Sequence, residues 1–515
     1  MKGDFSRVSF NPSHGFTRVN WQQGRMQLDA DANEQQAINL HLIRTLAADL
    51  IGPHGGLPGS FAIEADPKAY RGFRIRPGRY YVDGWPAQNM SIVGYRASSD
   101  LSPQPWYPEP PEIEAGQDYL VYLELWERHL SAAEFDRARH AHEADAMREV
   151  ALDGPDTGSR AQIVWQVKTR ALDSFAPPPQ GTDDPWPNWR DQIEPEMRGT
   201  LKARAAEAPA AGGPPCEVSP RARFRGDSDQ LYRVEIRRGG YASAKEGGAT
   251  FVWSRENGAV TFPVDKIAGP KVQLADGWRD ARFAIAPGDI VEVAGPAEAL
   301  QETGARLLRV VDYDPDTATV TLEATPEVDT DDPRKPVLLR RWDHGELRGL
   351  AQDRVKLADD NALQLVEGRW LALEEGIQVM FGEGIGRANG PARIVARDEA
   401  ARAVAATDAA RGKEAAGAAG EKGGIELGTR HAPAEGNFIE RGEGNLYRQG
   451  DYWQIPSRTA VSDVLGPRDA SGNPLPRPPH GVARHYAPLA LIRVAGDGSV
   501  SIERDLRREF NPLTG

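Results

Sequence analysis

Glycine and proline punctuate this chain so densely that long regular elements are the exception: 53 glycines and 40 prolines fall among 515 residues. Proline removes a backbone donor and fixes φ, and glycine frees the backbone for tight turns. The segments between them read as short strands. Gly72–Trp85 reads as strand, turn, strand, turn, with Pro77-Gly78 and Asp83-Gly84 as turn signals. Tyr119–Trp126 is almost continuously apolar, which predicts a strand covered on both faces. Ile163–Val167, Leu231–Ile236, Thr250–Trp253, Val260–Phe262 and Asp289–Val293 extend the pattern. Two hairpins are expected, one about Asp314-Pro315-Asp316 and one about Gly496-Asp497-Gly498. The fold class is therefore mainly β and multidomain, built of small barrel or sandwich modules with few helices.

Composition shifts suggest four segments. Residues 1–172 form an N-terminal helix plus a β-rich domain, and residues 173–215 a Pro-rich connector carrying Trp186 and Trp189. Within the connector, Leu201–Ala208 suits a short helix. Residues 216–340 read as a compact β module, barrel or sandwich. Residues 341–515 read as a C-terminal β-rich domain interrupted by an Ala/Gly-rich insertion at 387–436. A bare spacer seldom needs two tryptophans, so Trp186 and Trp189 are expected to anchor the connector to a neighbour. No repeat recurs at a fixed period, which argues against a solenoid or propeller.

The N-terminus breaks the β pattern. Val19, Trp21, Met26 and Leu28 alternate with polar residues as in a short extended segment, and Gly24 supplies a turn. Asp31 and Glu34 have capping-box spacing, and Ile38, Leu42, Leu46 and Leu50 recur every four residues until Gly52-Pro53. That stripe either packs on its own domain or docks onto a partner subunit. Trp21, Gln22, Gln23, Arg25 and Leu28, with Trp186 and Trp189, are the candidate interface residues.

The run Gln22-Gln23-Gly24-Arg25-Met26-Gln27-Leu28-Asp29-Ala30-Asp31-Ala32-Asn33-Glu34-Gln35 resembles the "QQGRVQLDADWNEQ" opening of a family of uncharacterised proteins. That family is encoded beside the baseplate genes of phage-tail-like contractile injection systems. Met26 stands where the family usually has Val, and Ala32 where it has Trp. Further ordered matches lie at Tyr119–His129, Arg148–Thr157, Leu231–Ile236, Phe251–Gly258, Gly450–Ala460 and His485–Leu491. The resemblance implies a structural subunit whose partners are other particle subunits, with several copies per assembly. It brings no catalytic residues.

The balance of 62 Lys+Arg against 75 Asp+Glu gives a net charge of −13 and argues against general nucleic-acid affinity. One cysteine, Cys216, precludes an intrachain disulfide and fits a reducing cytosol. No secretory signal and no bilayer-spanning apolar run is evident, so a cytoplasmic protein is expected, without membrane insertion. It would reach the exterior within a particle released by lysis.

Catalytic constellations are sparse. His129, His140, His142, Glu143 and Asp145 are the best metal ligands by type, but they lack the i, i+4 histidine pair of a helical site. Gly382-Glu383-Gly384-Ile385-Gly386 lacks the Lys-Ser/Thr ending of a phosphate loop. No Gly-x-Ser-x-Gly elbow occurs. No catalytic, metal or cofactor site is assigned, and a non-enzymatic scaffold or adaptor is the leading expectation. The alternatives are a surface-recognition subunit binding carbohydrate or cell envelope, and an envelope-degrading hydrolase using a carboxylate pair.

Overall fold

A computed structural model describes residues 2–107, 109–135, 147–152, 156–172, 189–193, 199–206, 223–242, 248–275, 280, 282–300, 304–328, 336–344, 357–382 and 444–511. The fold is mainly β, in several small antiparallel sheets around three cores, with one long helix near the N-terminus. The insertion 387–436, Trp186, Cys216 and the candidate ligands His140, His142, Glu143 and Asp145 lie outside the described residues.

The first core is built on a four-stranded sheet in the order Val500–Asp505, His485–Val494, Gln117–Leu130, Arg160–Ala171. Tyr119, Val121, Leu123 and Leu125 face one side, packing with Phe61, Phe73, Tyr80 and Trp165. Leu120 and Tyr122 face the other, under Trp189, Tyr486 and Leu506. Both faces are covered, as the continuous apolar run predicts. Trp189, in the short helix Trp189–Ile193, is 4% exposed and packs within its own chain, which corrects the expectation that it anchors a neighbour.

A second core joins the five-stranded sheet Leu363–Gln364, Thr250–Ser254, Gln230–Arg238, Tyr452–Arg458, Asp463–Val464 to a smaller one. The smaller sheet pairs Leu371–Ala372, Ile377–Gly382 and Thr200–Ala205. The segment expected as a short helix at 201–208 is thus the strand Thr200–Ala205, whose partner is Ile377–Gly382. A ladder with a distant strand overrides local Ala and Lys propensity here. Phe251, Phe381, Tyr447, Trp253 and Trp453 fill the space between the sheets.

The third core is a closed six-stranded barrel, in the order Thr261–Ala268, Lys271–Leu274, Thr319–Leu322, Leu307–Asp314, Ile290–Ala294, Leu338–Trp342. Phe262, Val272, Val291, Leu308, Val320 and Leu339 fill it. The expected hairpin is present, its turn held by Asp314, which accepts from the Asp316 amide and the Thr317 hydroxyl.

The pairings cross the segment boundaries drawn from composition. His485–Val494 lies beside Gln117–Leu130, and Tyr452–Arg458 beside Gln230–Arg238. Gly- and Pro-rich stretches mark where the chain is irregular. They carry no record of which strands meet.

Candidate docking surface

The helix Asp29–Ile51, α1, rises roughly 35 Å at 1.5 Å per residue. It starts at Asp29, two residues before the expected capping box. Leu28 is the N-cap and makes no side-chain cap bond. Asp31 is already inside the first turn, and Glu34 accepts instead from the Ser9 hydroxyl at 2.6 Å. Asp29 accepts from the Ser6 amide at 2.9 Å and hydroxyl at 2.6 Å. Burial raises the Asp29 carboxyl, but together these bonds outweigh it and hold the group below its ordinary range. Gly52 closes the helix, its amide donating to the Ala48 carbonyl at 2.8 Å.

The preceding residues are not a strand. They run beside α1 as an arm, with Phe10 against His41 and the Val19 amide donating to Gln35 Oε1 at 2.7 Å. The expected turn at Gly24 is present, with φ +71°. Trp21, Gln22, Gln23, Arg25 and Leu28 are all exposed, so no face of this segment is buried. Alternation over so few residues had no sheet to join.

α1 is pinned to the first core along one side. The Arg44 guanidinium stacks 3.3 Å from the Trp85 ring centroid and reaches Glu127 at 2.6 Å. Beneath it lies the turn Asp83-Gly84, where a Cβ on Gly84 would sit 2.0 Å from the Arg44 carbonyl oxygen. Only glycine permits that approach. Ala30 and Ile38 are the residues of α1 that become fully buried. At about 100° per residue from Ile38, Leu42, Ile43, Leu46 and Leu50 lie about 40°, 140°, 80° and 120° around the helix, from its flank to its far side. They are exposed by 48%, 63%, 61% and 70%. The expected four-residue stripe is therefore split: Ile38 faces the body and its three leucines face outward. Leu28, Leu40, Trp21 and Met26 are exposed as well.

The arm's first residues lock into the junction of the three cores. The Lys2 amine pairs with Glu235 at 3.2 Å and lies 5.1 Å from the Trp342 ring centroid. Gly3 exchanges two bonds with Asn257, and Phe5 meets His129 edge-on. Burial disfavours a charged Glu235, but Arg233 at 2.6 Å and Lys2 outweigh it and hold the carboxyl at about 2. Arg340 of the barrel reaches Glu134 of the first core at 3.0 Å. Burial likewise lowers His129 to about 4, with Glu134 opposing. Lys2 and Glu235 were not singled out in the sequence, because a lysine at position 2 ordinarily reads as solvated; His129, a metal candidate by type, packs instead against Phe5.

Among the described residues no group of three or more His, Cys, Asp or Glu is placed to hold a metal ion. One carboxylate pair invites a chemical reading. The Tyr232 hydroxyl lies 3.2 Å from both Glu374 and Glu375, and Arg255 donates to Glu374 at 2.6 Å. Burial, with Asp343 and Glu375 nearby, raises Glu374 from 4.5 to about 7 despite Arg255. The tyrosine hydroxyl bridges the two carboxyls. The arrangement is an ion-pair network that ties 371–377 to the second core.

The described residues form a mainly β body of three cores, carrying an arm and a helix whose outer face is apolar and exposed. The chain belongs to a family of unknown function, DUF6519, whose model matches residues 1–177 and 195–431. No curated protein and no solved structure matches it. Among the described residues no helix is long and apolar enough to cross a membrane.

Proposed function

We propose that this protein is a structural adaptor of a phage-tail-like contractile injection particle, at or near the baseplate. The outward apolar face of α1, held on a rigid body, is the observation that supports a docking role. Burying each exposed leucine or isoleucine in an interface favours association by about 1.5–3 kcal/mol at full burial. Because α1 is already folded and pinned, a partner need not supply the cost of forming the helix. The placement in a contractile particle rests on the "QQGR" resemblance. The protein is made in the cytoplasm and leaves the cell inside particles released by lysis.

The test is to fractionate lysates of the native producer on a density gradient and image the fractions. Co-migration of the chain with sheathed particles supports the proposal. A chain found only as a free monomer that degrades cell-wall material would overturn it. The carbohydrate-binding alternative must be assayed on the full chain. A 216–515 fragment would carry His485–Val494 without its partner Gln117–Leu130.

A further inference from the structure

Two neighbouring carboxyls close on one phenol at the turn 373–377. The Tyr232 hydroxyl lies 3.2 Å from Glu374 Oε1 and 3.2 Å from Glu375 Oε2. A tyrosine hydroxyl brings one proton, so it donates fully to one carboxyl only. To bond the other it must accept, and that carboxyl must supply a proton of its own. Burial and the two carboxyls push the Tyr232 hydroxyl well above its ordinary range, so the phenol keeps its proton. The second proton therefore belongs to the Glu374–Glu375 pair. Glu374 is the member placed to hold it: its Oε2 accepts from Arg255 at 2.6 Å, which leaves Oε1 to carry the proton toward Tyr232. The relay then runs from Arg255 to Glu374 to Tyr232 to Glu375, with one donor and one acceptor at each link.

The charges around the relay favour the extra proton. Glu374 faces Arg255, Asp343 at the end of the barrel strand Leu338–Trp342, Glu375 beside it, and Tyr232 of Gln230–Arg238. Asp343 draws on the same Arg255 at 4.0 Å and on Arg341 at 3.0 Å. The Arg225 guanidinium passes Gly376 but is turned to the carbonyls of Ala206 and Arg223. Two carboxylates held on one hydroxyl do not both ionise without cost. The backbone of the turn is poised as well. Glu375 has φ +50°, a left-handed conformation that a residue other than glycine keeps only where its surroundings hold it. The turn also anchors two other segments: the Glu375 carbonyl accepts from the Arg225 amide at 3.0 Å, and the Gly376 carbonyl from the Ala206 amide at 2.8 Å.

We propose that Glu374, Tyr232 and Glu375 form a proton-held clasp: the turn 373–377 is closed on Ala206 and Arg225 while the relay carries two protons, and it opens when Glu374 gives up its own to water. One hydroxyl proton then faces two carboxylates, Glu375 withdraws, and its left-handed backbone relaxes. Burial, Asp343 and Glu375 hold the Glu374 proton to about 7 in the closed turn, and an open turn returns it toward the ordinary 4.5. Closure is therefore complete below pH 4.5 and is lost as pH rises through 7. The clasp lies apart from α1 and owes nothing to the proposed particle.

Hydrogen exchange of the full chain across pH 5 to pH 8, corrected for intrinsic rates and resolved to single amides by mass spectrometry, tests it. Protection of the Ala206, Arg225 and Ile377 amides is expected to fall by up to roughly 70-fold, the ratio for one group moving from about 7 to 4.5 on opening. Amides of the barrel strand Ile290–Ala294 are expected to keep theirs. Glu374→Gln offers an amide N–H to Tyr232 and an oxygen to Arg255 in place of the protonated carboxyl, and is expected to hold the pH 5 protection throughout. Glu375→Gln removes a charge that raises Glu374, and is expected to move the loss to lower pH. Constant protection in the wild type, an undiminished loss in Glu374→Gln, or an equal loss in the barrel strand overturns the clasp. Should Glu374→Gln fail to fold, an unmoved transition in Glu375→Gln overturns it as well.

Discussion

At Glu235 the protein keeps a carboxylate among charges at the meeting point of its three cores. Lys2 and Arg233 are its compensation, and Glu235 is theirs. Replacing Glu235 by Gln leaves two cations buried without their anion and is expected to cost about 3–5 kcal/mol, measured by urea unfolding. Glu374 acts in the opposite sense with pH. Its proton is held to about pH 7 in the folded protein, whereas the unfolded chain releases it near the ordinary 4.5. Its contribution is therefore fully present below pH 4.5 and is lost as pH rises through 7. The amount is on the order of 3 kcal/mol, and Glu374→Gln removes that part of the slope. Unfolding free energies of the two proteins at pH 5 and pH 8 measure the difference. Neither residue was legible as special in the sequence. One Glu among many acquires its environment from strands far away, and the strand pattern marks a burial face without naming its neighbours.

At the scale of elements, α1 presents two faces with opposite consequences. Ile38→Asp buries a charge at a position only 1% exposed and is expected to destabilise the protein by several kcal/mol. Leu46→Asp on the outer face is expected to change stability by less than about 0.5 kcal/mol. Hydrogen exchange of the α1 amides reports both. The helix, its Gly52 end and the turn at Gly24 were legible, because periodicity and glycine act locally. The face that α1 buries was not. The largest side chains, Leu42, Leu46 and Leu50, suggested the inner side, whereas Ala30, Ala37 and Ala48 take it, beside the close passage of Gly84 under Arg44. The capping box was misplaced for a similar reason. Asp29 and Glu34 are both engaged by serines of the arm, a contact that helix-end spacing does not encode. The strand Gln117–Leu130 was legible over its apolar run Tyr119–Trp126. The strand Thr200–Ala205 was not, since its ladder with Ile377–Gly382 lies 170 residues downstream.

For the whole molecule, sheet pairing between distant segments makes the ends of the described chain part of the fold. Deleting residues 485–511 removes two of the four strands of the first sheet. The remainder is expected to be insoluble or open to protease throughout the Gln117–Ala171 region, as limited proteolysis would show. The proposed docking role belongs to the outer face of α1, where Leu46 is 61% exposed. Quantitative mass spectrometry of particles purified from cells producing either the wild-type chain or Leu46→Glu tests it most directly. The wild-type chain is expected at a fixed ratio to the sheath protein, and the equally soluble variant is expected to be absent. Equal amounts of both in the particles would contradict it.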